Sequence, residues 1–309
     1  MKTCFVFPGQ GAQYPGMAKD LFDSSPRVRE LFNLAEQTTG IDVKELLFNG
    51  SEEDLKETVN TQVSITLANL SAAAVLEDRG FSADACAGFS LGEYAALVQS
   101  QVLTAAQVFP LVKLRGEAMA RASDLLDRSE GDPGMAAVVG LSPDAVEKAL
   151  ALSGIPGIFA ANYNSPVQVV ISGTAPGLKA ASEVLKAAGA RRIITLKVSG
   201  PFHSPLLKSA SEELAKVFEM INFENPRIPL YSNVTGGLIT SGAQARELAI
   251  LQVISPVKWT LEENALLQAG YDRIIEAGPG AVLVGLWGAT GSEVPIFSAG
   301  KLEQIDQIK

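Results

Sequence analysis

One histidine, His203, serves a chain of 309 residues. Any mechanism that calls on an imidazole base must use it, and with so few ligands no metal site is expected. Cysteine is almost as scarce. Cys4 and Cys86 stand far apart in strand-like segments, so buried free thiols and a cytoplasmic location are the expectation. Aromatic residues reach only 6%, while alanine, glycine, valine and leucine abound, which suits helices layered tightly on a sheet. Positive charge is in deficit: 25 basic side chains face 34 acidic ones, for a net charge of -9. That balance argues against nucleic acid as a partner, because phosphate contacts need clustered cations. No unbroken run of about 18 apolar residues occurs, so no membrane span is expected. The apolar part of the opening segment Met1–Gly9 is too short for a signal peptide and reads better as a first buried strand.

What is present is enough to fold. Hydrophobic residues make up 47% and charged residues 19%, which excludes intrinsic disorder and supplies a sizeable core. The length suits one large domain or two unequal ones. Residues 3–7 read as a strand ended by the turn Pro8-Gly9-Gln10-Gly11-Ala12-Gln13. A helix is predicted over 61–78 from apolar residues recurring at three and four. Ala83–Ala87 reads as a short buried strand, and Glu93–Val102 as a helix. From about residue 134 the order becomes β-α-β-β-α-β: strands at Gly134–Gly140, Gly157–Asn162, Pro166–Gly173 and Arg191–Val198, helices at Pro143–Leu152 and Pro176–Ala188. That is the split pattern of a ferredoxin-like unit. Further strands are expected at Ile228–Asn233 and Arg273–Glu276. The fold class is therefore α/β: a hydrolase-like large domain with a parallel sheet (1–130 and 199–309) and an inserted small ferredoxin-like α+β domain (131–198).

Chemistry is concentrated at Gly88-Phe89-Ser90-Leu91-Gly92, which matches the nucleophile-elbow pattern Gly-x-Ser-x-Gly. Small residues two before and two after the serine allow a sharp strand-to-helix turn, which presents the hydroxyl at a helix N-terminus. Ser90-Leu91-Gly92-Glu93 also spells a capping box, in which serine and glutamate only satisfy a helix start. His203 lies in a loop where the small domain returns to the large one, and imidazole has the pKa to activate a serine. Arg115 interrupts an apolar helical stripe with Leu111 and Met119; it is a snorkelling or ion-paired side chain, or a guanidinium held to bind a carboxylate. The Gly9-Gln10-Gly11 turn lacks the endings of a phosphate loop or a dinucleotide fingerprint, but can offer the Gln10 N–H to a site.

Taken in order, these segments resemble the malonyl-CoA:acyl carrier protein transacylase family. The resemblance rests on Phe5–Gln13, Gly88–Tyr94, Arg115-Gly116, Asn162–Pro166, Pro201–Ser204, Gln252–Trp259 and Glu276–Gly280. It implies that Ser90 attacks the thioester of malonyl-CoA with His203 as general base, giving a malonyl-serine that passes to the phosphopantetheine thiol of acyl carrier protein. It further implies an oxyanion hole from the Gln10 and Leu91 N–H groups, Arg115 on the malonyl carboxylate, and the Gln252 main-chain carbonyl orienting His203. Phe202 resembles the malonyl-preferring members. Phe89 departs from the family, which usually carries histidine there. No tightly bound cofactor and a monomer are expected, in fatty-acid synthesis or as a discrete acyltransferase serving a polyketide synthase; an acyl hydrolase of the same fold is the other reading. The acidic partner requires a local basic face. Lys179, Lys186, Arg191 and Arg192 are proposed for it, the alternative being a merely solvated charged face.

Overall fold

The computed structural model describes residues 1–308. Ten strands form two sheets: β1 (Thr3–Phe7), β2 (Ala85–Gly88), β3 (Gly134–Val139), β4 (Ile158–Ser165), β5 (Gln168–Gly173), β6 (Arg192–Thr195), β7 (Leu230–Tyr231), β8 (Leu238–Ile239), β9 (Arg273–Glu276) and β10 (Ile296–Ser298). The large sheet has the order β10-β9-β1-β2-β7-β8. All its pairings are parallel except β7–β8. Strand β1 is buried at every position, as a central parallel strand covered on both faces must be. The small sheet, β4-β5-β3-β6, is antiparallel throughout. Helices Pro143–Ser153 and Ala175–Ala187 connect its strands in the ferredoxin-like manner.

Helix Thr58–Asp78 is the core helix of the large domain. It is long and apolar enough on average to cross a membrane, yet most of it is buried inside the protein. The three-and-four periodicity points to one buried stripe. Instead nearly every side from Thr58 to Leu76 is covered, because small polar residues such as Ser64, Thr66 and Ser71 are buried along with the apolar ones.

Two strand expectations need correction. The segment 228–233 contributes only Leu230–Tyr231: Pro229 has no N–H to donate, and Ser232 and Asn233 turn away into a loop. The small domain's final strand ends at Thr195 rather than Val198; Leu196 keeps one bond to the sheet, its N–H donating to the Met135 carbonyl at 2.9 Å, and with Val198 it lines a cavity. Strands β8 and β10 are additions that the sequence pattern does not signal.

The register places the site. Phe7 lies opposite Gly88, so the turns following β1 and β2 emerge side by side. From the other side, Asn162 bridges to Val257, with Tyr163 N–H donating to the Val257 carbonyl at 2.9 Å. The small domain is thereby tied to the segment that follows Gln252.

Candidate active site

Strand β2 stops at Gly88 and a helix runs from Gly92 to Gln99. Between them Ser90 adopts φ 51°, a left-handed conformation uncommon for a residue with a side chain. Only glycine fits on either side. A Cβ at Gly88 would lie 2.1 Å from the Gly92 carbonyl carbon, and one at Gly92 would lie 2.0 Å from the Phe7 carbonyl oxygen. The capping-box alternative fails here. The helix N-cap is Leu91, with no side-chain capping bond. Glu93 instead turns into the core, where its Oε2 accepts the Asn233 N–H at 2.8 Å.

The Ser90 hydroxyl is 2.6 Å from His203 Nε2. On the other edge of the ring, Nδ1 is 2.9 Å from the Gln252 carbonyl oxygen. A carbonyl can only accept, so Nδ1 carries the proton and Nε2 is left bare toward the serine. His203 is also held in the left-handed region, at φ 56°. Burial pushes its pKa down to about 4, and the nearby Arg115 charge adds to the effect. A neutral imidazole facing a hydroxyl can act as a general base.

Arg115 is 1% exposed on helix Ala105–Asp124. It therefore does not snorkel. Its guanidinium donates to the Gln62 side-chain oxygen at 2.6 Å and to the Gln252 side-chain oxygen at 3.1 Å. It lies 5.5 Å from the centre of the Tyr94 ring. Among the described residues no carboxylate bonds to it, and Nε has no partner. A buried cation held by neutral amides is incompletely neutralised, which favours an anionic ligand. Gln252 thus touches all three groups: its main chain holds His203, its Oε1 holds Arg115, and its Nε2 donates to the Ser90 carbonyl at 3.0 Å.

These groups line one cavity of about 280 Å³, walled by Gln10, Ser90 and Arg115 from the large domain and by Met135, Asn162 and Val170 from the small one. Gln10 follows Gly9, whose backbone packs so closely on the elbow that a Cβ there would be 2.4 Å from the Phe89 carbonyl oxygen. The N–H groups of Gln10 and Leu91 have no hydrogen-bond acceptor among the described residues. Both are free to meet an oxyanion beside Ser90. The described residues contain no cluster of metal-ligating side chains, and Cys4 and Cys86 are buried free thiols.

Comparison with known proteins shows the family. Residues 4–303 match the model of the acyl transferase domain family. The chain belongs to this family. It is 38% identical over 287 residues to the malonyl CoA-acyl carrier protein transacylase of Bacillus subtilis, covering 92% of this chain and 89% of the relative. The crystal structure of an acyl-carrier-protein S-malonyltransferase from Burkholderia pseudomallei superposes with a TM-score of 0.94 at 34% identity, over 99% of both chains. A malonyl-transacylase solved in complex with a type II PKS acyl-carrier protein superposes with a TM-score of 0.93 at 33% identity, over 99% of this chain and 98% of that one.

Within this acyl transferase domain, Phe89 makes an apolar contact at the position where the resemblance implies histidine. Its ring meets Trp259 edge-on at 5.5 Å and lines the cavity. Phe202, 6% exposed, closes the cavity beside His203. Two residues of the acyl transferase site escape the sequence reading. Gln62 looks like any polar residue of a helix, and Asn233, whose Oδ1 accepts the Ser90 N–H at 2.6 Å, carries no motif of its own. Lys179, Lys186, Arg191 and Arg192 form no ion pair among the described residues, and both arginines are exposed.

Proposed function

We propose that this protein moves the malonyl group from malonyl-CoA to the phosphopantetheine thiol of acyl carrier protein, supplying fatty-acid synthesis. The observation that carries the reading is Arg115, a buried guanidinium held by neutral amides in the same cavity as the Ser90–His203 pair. A hydrolase of neutral esters has no use for a cation facing the acyl tail. A malonyl thioester has a carboxylate to give it.

The steps balance without a cofactor. Ser90 Oγ attacks the thioester carbon while His203 Nε2 takes the hydroxyl proton. The oxyanion is held by the Gln10 and Leu91 N–H groups. As the intermediate collapses, the carbon–sulfur bond breaks and the coenzyme A sulfur leaves with the proton from His203. The phosphopantetheine thiol then gives its proton to His203 and attacks the malonyl ester, and the same proton returns to Ser90 Oγ. The Gln252 carbonyl stands where a triad acid usually does, keeping Nδ1 protonated.

The acidic carrier protein must approach a protein of net charge -9, so a local basic face has to guide it. Arg191 and Arg192 stand at the start of β6, whose continuation through Leu196 and Val198 reaches the cavity. Together with Lys179 and Lys186 they form the proposed docking face. The test is transfer of malonyl to holo-acyl carrier protein, in the wild type and in Arg191→Glu/Arg192→Glu. Wild type should transfer, and the double variant should show an apparent KM for carrier protein raised roughly fivefold to tenfold at low salt. Its KM for malonyl-CoA should not change. Absence of transfer by wild type overturns the function, and an unchanged carrier-protein KM overturns the docking face alone.

A further inference from the structure

Beneath the nucleophile lie two carboxylates that the chemistry above does not use. Glu93 is 1% exposed and Glu262 fully buried, and between them sits Asn233, also fully buried. Every polar atom of Asn233 is engaged. Its main-chain N–H donates to Glu93 Oε2 at 2.8 Å, and its carbonyl accepts the Lys258 N–H at 2.8 Å. Its side-chain Oδ1 accepts from the Ser90 N–H at 2.6 Å, with the Gln252 Nε2 group at 3.4 Å. Its Nδ2 donates to the Gly88 carbonyl at 2.6 Å and to Glu262 Oε1 at 2.8 Å.

This pattern admits one orientation of the amide. Flipped, the side chain would set its oxygen against two oxygens and its NH₂ against the Ser90 N–H. Ser90 precedes the helix and stands at φ 51°, so its N–H has no place in the helical ladder and Asn233 takes it instead. The two bonds to Gly88 and Ser90 hold the elbow from both sides of Phe89. Whatever fixes the Ser90 peptide also sets the direction of Oγ toward His203 and of the next N–H, that of Leu91. Glu262 has no hydrogen bond to Ser90 and does not line the cavity, and its Oε2 has no partner among the described residues. A carboxyl group is costly in such a place, and burial pushes its pKa well up. Its one bond in this neighbourhood goes to Asn233.

We infer that Asn233, polarised by Glu262 and anchored by Glu93, is a positioning residue that sets the Ser90 backbone for acylation. The inference rests on Ser90 being the nucleophile. It differs from a packing role in what it demands: a donor must point at Gly88 and residue 262, and an acceptor at Ser90.

Reversing the polarity of the pair tests it. In Asn233→Asp the acceptor for Ser90 survives, but the NH₂ group that serves the Gly88 carbonyl and Glu262 Oε1 is lost. Misplacement of a reacting group by about 1 Å costs roughly 10²-fold. The rate of Ser90 acylation by malonyl-CoA in Asn233→Asp is expected to fall by about that factor. The KM for malonyl-CoA should stay near the wild-type value. Adding Glu262→Gln supplies a new NH₂ donor opposite the introduced carboxylate, and the double variant should recover roughly tenfold over the single one. If Asn233→Asp does not fold, soluble Asn233→Ser serves, with a loss in kcat and none in KM. An acylation rate within about threefold of wild type overturns the inference, as does a double variant with no recovery. A wild type that forms no adduct instead overturns the reading of Ser90.

Discussion

Arg115→Ala is expected to load malonyl about 10²- to 10³-fold more slowly than wild type, while acetyl loading holds or rises. The guanidinium is buried, and only the neutral side chains of Gln62 and Gln252 bond to it among the described residues. A malonyl carboxylate arriving there exchanges water for a charge-assisted pair. Without the arginine it is desolvated with no partner, a loss of about 3–5 kcal/mol when one member of a buried pair is removed. Acetyl-CoA has no carboxylate, so it forfeits nothing and avoids the buried cation. The measurement is the rate of Ser90 labelling by each thioester in both proteins. Equal losses for malonyl and acetyl would mean that Arg115 supports the fold and does not select the acyl group.

The second large effect belongs to His203. His203→Ala should slow acylation by about 10³- to 10⁴-fold, near the upper end of what a positioned general base contributes. The pH dependence distinguishes this base from an ordinary surface histidine. Burial, and then the Arg115 charge, push its pKa down from 6.5 to about 4. The neutral form is the active one, so the limb of malonyl loading that belongs to His203 should lie near pH 4 and not at 6.5. Removing the positive charge in Arg115→Ala should move that acid limb upward. A limb at 6.5 in wild type would contradict the buried, Gln252-held imidazole.

How far the structure is legible from sequence depends on whether the cause is local. Strand β1 is legible to its last residue because an unbroken apolar run meets Pro8, and β9 likewise emerges as Arg273–Glu276. The elbow is legible because its Gly-x-Ser-x-Gly pattern lies within five residues, although the contact that forces Gly92 comes from Phe7 on β1. Gly88 and Gly92 are forced by backbone approaches that leave no room for a Cβ. Strands β8 and β10, of two and three residues, are not legible, since their neighbours and not their composition hold them extended. The Glu93 capping pattern misleads for a related reason. The local pairing is available, but Asn233, 140 residues on in sequence, offers the carboxylate a buried N–H. Gln62 and Arg115 meet across 53 residues, and Asn233 and Glu262 across 29. Such pairings exist only once the helices are packed, and no periodicity announces them.

The central claim is that Ser90 carries the malonyl group between two thiols. The most direct test is intact-protein mass after brief incubation with malonyl-CoA, for wild type beside Ser90→Ala. Wild type should gain one malonyl group, which holo-acyl carrier protein then removes, and Ser90→Ala should gain none. An adduct that persists on Ser90→Ala, or a wild type that gains no mass while free malonate accumulates, would contradict it.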